Sequence, residues 1–311
     1  MSRATPTVHI GRDQFHLAWD RAIAPVATVD GGTVVEFEML DASCGQITPE
    51  STADDLAALD FSRVNSAHGP VAVDGAEPGD TLEIELLEFQ PAGWGWTASI
   101  PGFGLLADEF PEPALRITQL GAGTAEFLPG IRVPLAPFCG GLGVAPAAAG
   151  PHSTIPPAEF GGNMDTRHLT AGATLYLPVF APGGRFSMGD GHAAQGDGEV
   201  CGTAIETPMR AVVRLSVRKD LHVTAPEFRI PGSRPAPGEE ASYATDGVGP
   251  DLMVATRDAV RRMIEYLGRD HDLSPIDAYL LCSVAVDLRI SEVVDAPNWI
   301  VTAYCPLSIF A

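Results

Sequence analysis

The chain of 311 residues contains a single lysine, Lys219, set in Val217-Arg218-Lys219-Asp220 at the end of an expected strand. That is a solvated setting, so hydrolytic chemistry of the Ser-Ser-Lys or Glu-Lys-Cys kind, which needs a buried lysine, is not expected. No G-x-S-x-G turn and no G-x-x-x-x-G-K-[ST] phosphate loop occur either, which excludes the usual serine-hydrolase elbow and the common nucleotide cradle. There is no apolar run of about 18 residues, and Met1 to Gln14 lacks the basic-then-apolar pattern of a secretory leader, so a cytoplasmic protein is expected.

Basic residues are scarce, 19 against 40 acidic ones, for a formal charge of −21. Such a field repels phosphate backbones and anionic lipid surfaces. Neither nucleic acid nor membrane is therefore expected as a partner, and a small neutral molecule or a cation fits better. The five cysteines, Cys44, Cys139, Cys201, Cys282 and Cys305, are scattered, odd in number and without Cys-x-x-Cys spacing. They imply no disulfide framework and no zinc ribbon, and read as small buried hydrophobes. Cys44 stands apart because polar and turn-forming residues surround it.

Apolar and polar residues alternate in Thr81 to Phe89 and in Ala211 to Arg218, and Val34 to Leu40 and Ala173 to Phe180 also read as strands. With 33 glycines and 27 prolines between such runs, the first two-thirds of the chain reads as short strands joined by turns, in sandwiches or barrels. Pro231 to Ala244 reads as an exposed loop. Helices come late. Asp251 caps a stripe of Leu252, Ala255, Ala259, Met263 and Leu267 that closes at Gly268. A second helix starts at Ser274-Pro275, with Asp277 completing a box-like S-x-x-D pattern. The expectation is one compact unit over 1–311, with possible β-rich sub-parts at 1–150 and 151–311, the latter carrying the helix pair packed on a sheet.

Two polar clusters interrupt this pattern. Gly189-Asp190-Gly191-His192-Ala193-Ala194-Gln195-Gly196-Asp197-Gly198-Glu199 gathers three carboxylates and an imidazole among small residues. Asp190 and His192, two apart, project from one face of an extended strand. The second cluster, Gly161-Gly162-Asn163-Met164-Asp165-Thr166-Arg167-His168, adds an Asn, an Asp and a His. Closed together they form a metal or acid/base site. Mixed nitrogen and oxygen ligands suit Zn²⁺, whereas a mostly carboxylate set suits Ca²⁺. Taken alone, Asp197 reads as a turn residue, and His9, His16, His152, His222 and His271 carry no functional assignment.

With these clusters the chain resembles the acetamidase/formamidase family over nearly its whole length. The residues that carry the likeness are Gly69-Pro70-Val71 with Val73-Asp74-Gly75-Ala76-Glu77-Pro78-Gly79-Asp80, then Pro101-Gly102-Phe103-Gly104-Leu105-Leu106, Gly161 to Asp165, Gly189 to Glu199, and Asp287 to Asp295 ending at Pro297-Asn298. The resemblance implies a mainly β (α+β) enzyme, with a sandwich-like part and a barrel-like part, that hydrolyses short linear amides to a carboxylate and ammonia. The length is nearer the shorter acetamidase branch. Ala67-His68 stands where a threonine or serine is common, and Phe138-Cys139-Gly140-Gly141 replaces a more aliphatic run; both bear on the acyl group of the substrate.

The expected mechanism has Asp165, His192 and Glu199, joined or not by Asp190, hold a divalent metal, zinc before calcium, that activates water. Asp190 or Glu199 stays off the metal as general base. Asp41 and Gln46 are expected to bind the amide NH₂, with Asn163 and His68 lining the substrate pocket. A homodimer is the default assembly. The alternatives are a Cys44-dependent amidase and a non-catalytic, metal-stabilised β-rich binding module.

Overall fold

Alternating apolar and charged side chains dictate where the strands lie. In Thr81–Pro91, Leu82, Ile84 and Leu86 are fully buried while Glu83 and Glu85 face outward. Met209–Arg218 pairs with it antiparallel, burying Ala211, Val213 and Leu215 and turning its arginines out. Arg214 Nη1 then donates to Glu85 Oε2 at 2.6 Å and Arg218 Nη1 to Glu83 Oε2 at 2.9 Å. These exposed cross-strand pairs specify register more than stability.

In the computed structural model, which describes residues 5–231 and 241–310, nine strands form one sheet. Their spatial order is Val8–Ile10, Thr33–Met39, Met209–Arg218, Thr81–Pro91, Thr174–Pro178, Glu227–Ile230, Ser242–Gly249, Trp299–Pro306 and Asp287–Glu292. A second sheet of seven runs Pro157–Ala158, Gly161–Asn163, Phe138–Gly143, Phe186–His192, Ala67–Val73 and Phe15–His16, with Ala27–Val29 parallel to Ala67–Val73. Both sheets take strands from either side of residue 150. Phe37, Leu82, Val213 and Leu175 of the larger sheet share one core with Val71, Leu142, Phe186 and Met188 of the smaller, and the Phe37 and Phe186 rings meet edge to face at 6.0 Å. The sheets are thus the two leaves of a sandwich. Two hairpins, Trp94–Ser99 with Ala114–Gln119 and Thr124–Leu128 with Ile131–Pro134, flank it.

The mainly β architecture with a C-terminal helix pair is borne out. The first helix, α1 (Leu252–His271), starts at Asp251, whose side chain accepts from Val254 N. Of its buried stripe, Ala259, Met263, Tyr266 and Leu267 pack against Tyr243, Ala303 and Cys305 of the sheet. The second, α2 (Pro275–Ala285), is capped by Ser274, which accepts from Asp277 N. The expected stop at Gly268 is corrected: the helix continues three residues further to His271, and Asp272 takes the left-handed cap position at φ 54°. Aspartate tolerates that conformation better than most side chains. The expected loop over Pro231 to Ala244 is partly replaced by structure, since the strand Ser242–Gly249 begins inside it, and the remainder, residues 232–240, lies outside the described residues. Tyr243 is the physical reason: its hydroxyl donates to Glu227 Oε2 and its ring stacks on Tyr266 at 3.6 Å, which fixes the strand. No helix among the described residues is long and apolar enough to cross a membrane.

Asp246, in the same strand, is fully buried and accepts from Thr302 Oγ1 at 2.5 Å. Burial raises its pKa from 3.8 to about 7. A raised folded-state pKa contributes stability that is present below about pH 4 and lost as pH rises through about 7. Asp246→Asn is therefore expected to flatten the fall in unfolding free energy between pH 4 and 7, by on the order of a few kcal/mol at the upper end. Parallel wild-type and mutant unfolding free energies across that range would contradict it.

Candidate active site

The site sits where the smaller sheet brings glycine-rich strands together. Phe138–Gly143 runs antiparallel to Phe186–His192, with Phe138 opposite His192 and Gly141 opposite Gly189, and to Gly161–Asn163 on its other side. Gly140 passes directly beneath the acids: an added Cβ there would lie 2.1 Å from Asp165 Oδ1 and 2.5 Å from Asp190 Oδ2. Gly189 and Gly161 allow equally close backbone approach, with an added Cβ 2.0 Å from Ser66 O and 2.2 Å from Leu142 O respectively. Glycine at position 140 thus has a steric reason.

His192 is buried at the centre. Gln195 fixes its tautomer: Gln195 Nε2 donates to Asp165 O at 2.6 Å, so its Oε1 faces His192 Nδ1 at 2.8 Å and must accept from it. Nδ1 therefore carries a proton, and Nε2 faces carboxylates. Asp190 Oδ2 and Glu206 Oε2 each lie 3.2 Å from Nε2, and Glu199 Oε1 lies 3.8 Å away. On the Nδ1 side stands Asp165 Oδ1 at 3.8 Å. Asn163 Nδ2 donates to Asp165 Oδ2 at 2.8 Å and to Asp295 Oδ2 at 2.6 Å. His192 Nε2, Glu206 Oε2, Asp165 Oδ1 and Asn163 Oδ1 are buried without a hydrogen-bond partner.

Acids this close cannot all be ionised in a buried site without a cation. Burial raises Asp165 and Glu199 well above the carboxylate range, and their acidic neighbours add to it. Burial likewise takes Glu206 to about 7, Glu292 to about 8 and Asp295 to about 6. For His192, burial alone lowers the pKa, but Glu206 and Asp190 outweigh it and hold the imidazole well above its ordinary value. Overlapping triads of ligand atoms, Asp165/Asp190/His192, His192/Glu199/Glu206 and Asp165/Glu199/Asp295, each lie within 4.8 Å. The orphaned lone pairs and this donor set fit a divalent cation.

Backbone strain accompanies the cluster. Asp165, Asp190 and Glu199 have φ of 44°, 58° and 46°, left-handed conformations that cost about 1–3 kcal/mol each and persist where surrounding structure imposes them. A cavity of about 290 Å³ opens onto the acids and is lined by Asn163, Asp190, Glu199, Glu206 and Asp295 at one end. A larger one, about 430 Å³, is lined largely by the 194–205 loop, and of the clustered acids only Glu199 reaches it.

The fold thus brings together Asn163, Asp165, Asp190, His192 and Glu199. It spends Asp41, Gln46 and His68 elsewhere. Asp41 Oδ1 accepts from Ser43 N, the Ser43 hydroxyl and Trp96 Nε1, and its Oδ2 accepts from Gly45 N. Gln46 clasps the 60–63 turn, donating to Asp60 O at 3.2 Å and accepting from Asp60 N at 2.9 Å. His68 lies wholly buried, its Nε2 accepting from Leu40 N at 3.3 Å, with burial lowering its pKa to about 4. Burial pushes the Cys44 thiol up, against the direction a nucleophile needs. Asp197 is more than a turn residue, facing Arg167 and Arg289 at 3.6 and 3.8 Å.

Glu206, Asp295, Glu292 and Gln195 complete the site without having been singled out from the sequence. Glu206 enters through isolated pairing with Trp96 and His192, a long-range contact with no local signal. Asp295 and Glu292 lie in the C-terminal run of the resemblance, where acids beside buried apolar residues were the available hint.

A family model described as the Acetamidase/Formamidase family matches residues 5–153 and 147–311. The chain is similar to the formamidase of Methylophilus methylotrophus, 28% identical over 366 aligned residues that take in 96% of this chain and 89% of that one. It is also similar to the crystal structure of an acetamidase from Bacillus halodurans, with a TM-score of 0.88 at 30% identity over 97% and 98% of the two chains. An acetamidase from Yersinia enterocolitica gives a TM-score of 0.87 at 30% identity over 99% and 94%.

Gly140→Ala is expected to drive Asp165 and Asp190 apart and weaken the uptake of a divalent cation at least about tenfold, as disturbed metal shells commonly do. Calorimetric titration of the folded variant checks this; an unchanged affinity would mean that the acids do not form one cradle.

Proposed function

Because the chain belongs to the acetamidase/formamidase family and is on that footing an amide hydrolase, we propose that it cleaves the C–N bond of small neutral linear amides to carboxylate and ammonia at the His192 cluster. One observation carries this reading: a buried imidazole nitrogen without a hydrogen-bond partner faces Asp190, Glu199 and Glu206 at the end of a cavity. A binding module has no need of such a convergence of strained acids on a cavity.

Asp165, Asp190 and His192, with Glu206, are our assignment for the residues that hold a divalent cation, zinc ahead of calcium because an imidazole nitrogen is in the set. When bound, the cation would polarise a carbonyl and lower the pKa of a water at the site. Asp190 and His192 lie on one strand, a more rigid support than the loop that carries Glu199. Of the two carboxylates expected to supply the base, this leaves Glu199. Its role is to take the proton of the attacking water and return it to the amide nitrogen, which leaves poorly when unprotonated. Asn163 lines the cavity with Nδ2 committed to Asp165 and Asp295, so its unpartnered Oδ1 is an acceptor for the substrate's NH₂.

Ammonia release from acetamide and formamide tests the reading. Chelation is expected to abolish it and zinc to restore it. Glu199→Gln is expected to lower kcat by about 10²–10⁴-fold while retaining zinc, His192→Ala to lose both zinc and turnover, and Cys44→Ser to stay within about tenfold of wild type, since a surrogate of a non-nucleophilic thiol leaves the chemistry intact. Full turnover by both the Glu199 and His192 variants would sink the assignment, and a Cys44→Ser collapse would favour the thiol route.

A further inference from the structure

The cavity that opens onto the acids has two unlike ends. Beyond the carboxylates its wall is apolar, built from Leu59, Phe61, Trp96, Ile100, Phe103 and Ile155. The polar side chains within that wall are already engaged by backbone: Thr203 Oγ1 donates to Ala98 O at 3.0 Å and accepts from Ala98 N at 2.9 Å, Asn65 Nδ2 donates to Thr154 O at 3.2 Å, and Ser43 Oγ accepts from Ile47 N at 2.9 Å. Among the described residues no Lys, Arg or His lines the cavity. A group lying there is offered apolar contact and little else.

The wall is also held in place. Phe61 is 58% exposed at the rim, yet the turn that carries it is clasped by Gln46 through Asp60 and Arg63. Phe103 packs on Gly202, where an added Cβ would lie 2.4 Å from its ring, and Gly104 approaches Cys201 O so closely that an added Cβ would lie 2.8 Å away. The glycines of the 101–104 segment and of position 202 therefore seat an aromatic ring against the cavity. At about 290 Å³ the space admits roughly ten water-sized groups, far more than an amide with a single methyl beyond its carbonyl fills.

We infer that this cavity is an acyl pocket for uncharged amides whose acyl group is bulky and apolar, larger than that of acetamide. The inference rests on the amide-hydrolase reading. Gln46, with its bonds to the 60–63 turn, is then a positioning residue for the pocket wall. An acyl chain bearing a carboxylate is disfavoured twice, by the acids at one end and, among the described residues, by the lack of a cationic partner at the other.

The test is kcat/KM for ammonia release from acetamide, butyramide, hexanamide and the monoamide of glutaric acid by the metal-loaded protein. Each buried methylene is worth about fourfold, so hexanamide is expected to exceed acetamide by on the order of 100-fold and the anionic amide to fall below hexanamide. Ile155 is half-buried at the pocket wall, so Ile155→Trp is expected to fold while filling the space, lowering the hexanamide-to-acetamide ratio at least about tenfold. Turnover of acetamide with a flat or falling response to chain length overturns the acyl pocket and leaves amide hydrolysis standing. Ammonia from none of the amides overturns the hydrolase reading, and Trp96 emission then decides the pocket separately: quenching by hexanamide but not by acetamide supports it, and equal or no quenching rejects it.

Discussion

Everything at the centre of this molecule follows from one electrostatic constraint: an imidazole whose free nitrogen is ringed by carboxylates, all of them buried. Asp190 and Glu206 lie 3.2 Å from His192 Nε2, and Asp165, Glu199 and Asp295 complete the set. Such a group is stable only if positive charge is supplied, by protons or by a metal ion. The raised carboxyl pKa values are the protonic form of that requirement. A divalent cation is the form that leaves the acids ionised and available for chemistry.

The fold meets the constraint with glycine and with strain. Gly140, Gly161 and Gly189 bring three strands closer than any side chain permits, and the backbone takes left-handed conformations at Asp165, Asp190 and Glu199. Strain of that kind is tolerated because the sandwich around it is over-determined, with Phe37, Leu82, Phe186 and their neighbours locking the two sheets together. Gln195 shows the same economy: one side chain ties Asp165 backbone to His192 and so selects the tautomer that leaves Nε2 free.

Much of this was legible in the amino acids. Alternation located Thr81–Pro91 and Met209–Arg218, and cap chemistry located both helix starts at Asp251 and Ser274. The glycine-rich clusters pointed to Asp165, Asp190, His192 and Glu199 because small neighbours around several acids have few structural uses. What stayed hidden depends on distance along the chain. Glu206 and Asp295 reach the site through tertiary pairing that leaves no local pattern, and the Asp251 helix overran Gly268 because Asp272 could serve as its left-handed cap. Asp41 and Gln46 looked like substrate ligands for the opposite reason: polar residues near glycine satisfy their own turns at least as readily as a ligand.

A charged floor meets an apolar wall in one cavity, with proposed chemistry at one end and proposed recognition at the other. The central proposal is that a cation completes the ring around His192 Nε2. Anomalous diffraction from zinc-loaded crystals, recorded on either side of the zinc absorption edge, tests it most directly. A single strong peak bonded to His192 Nε2 and to carboxylate oxygens of Asp165, Asp190 and Glu206 is the expected result. A protonated His192 hydrogen-bonded to those same acids, with zinc absent from the cluster, would contradict it.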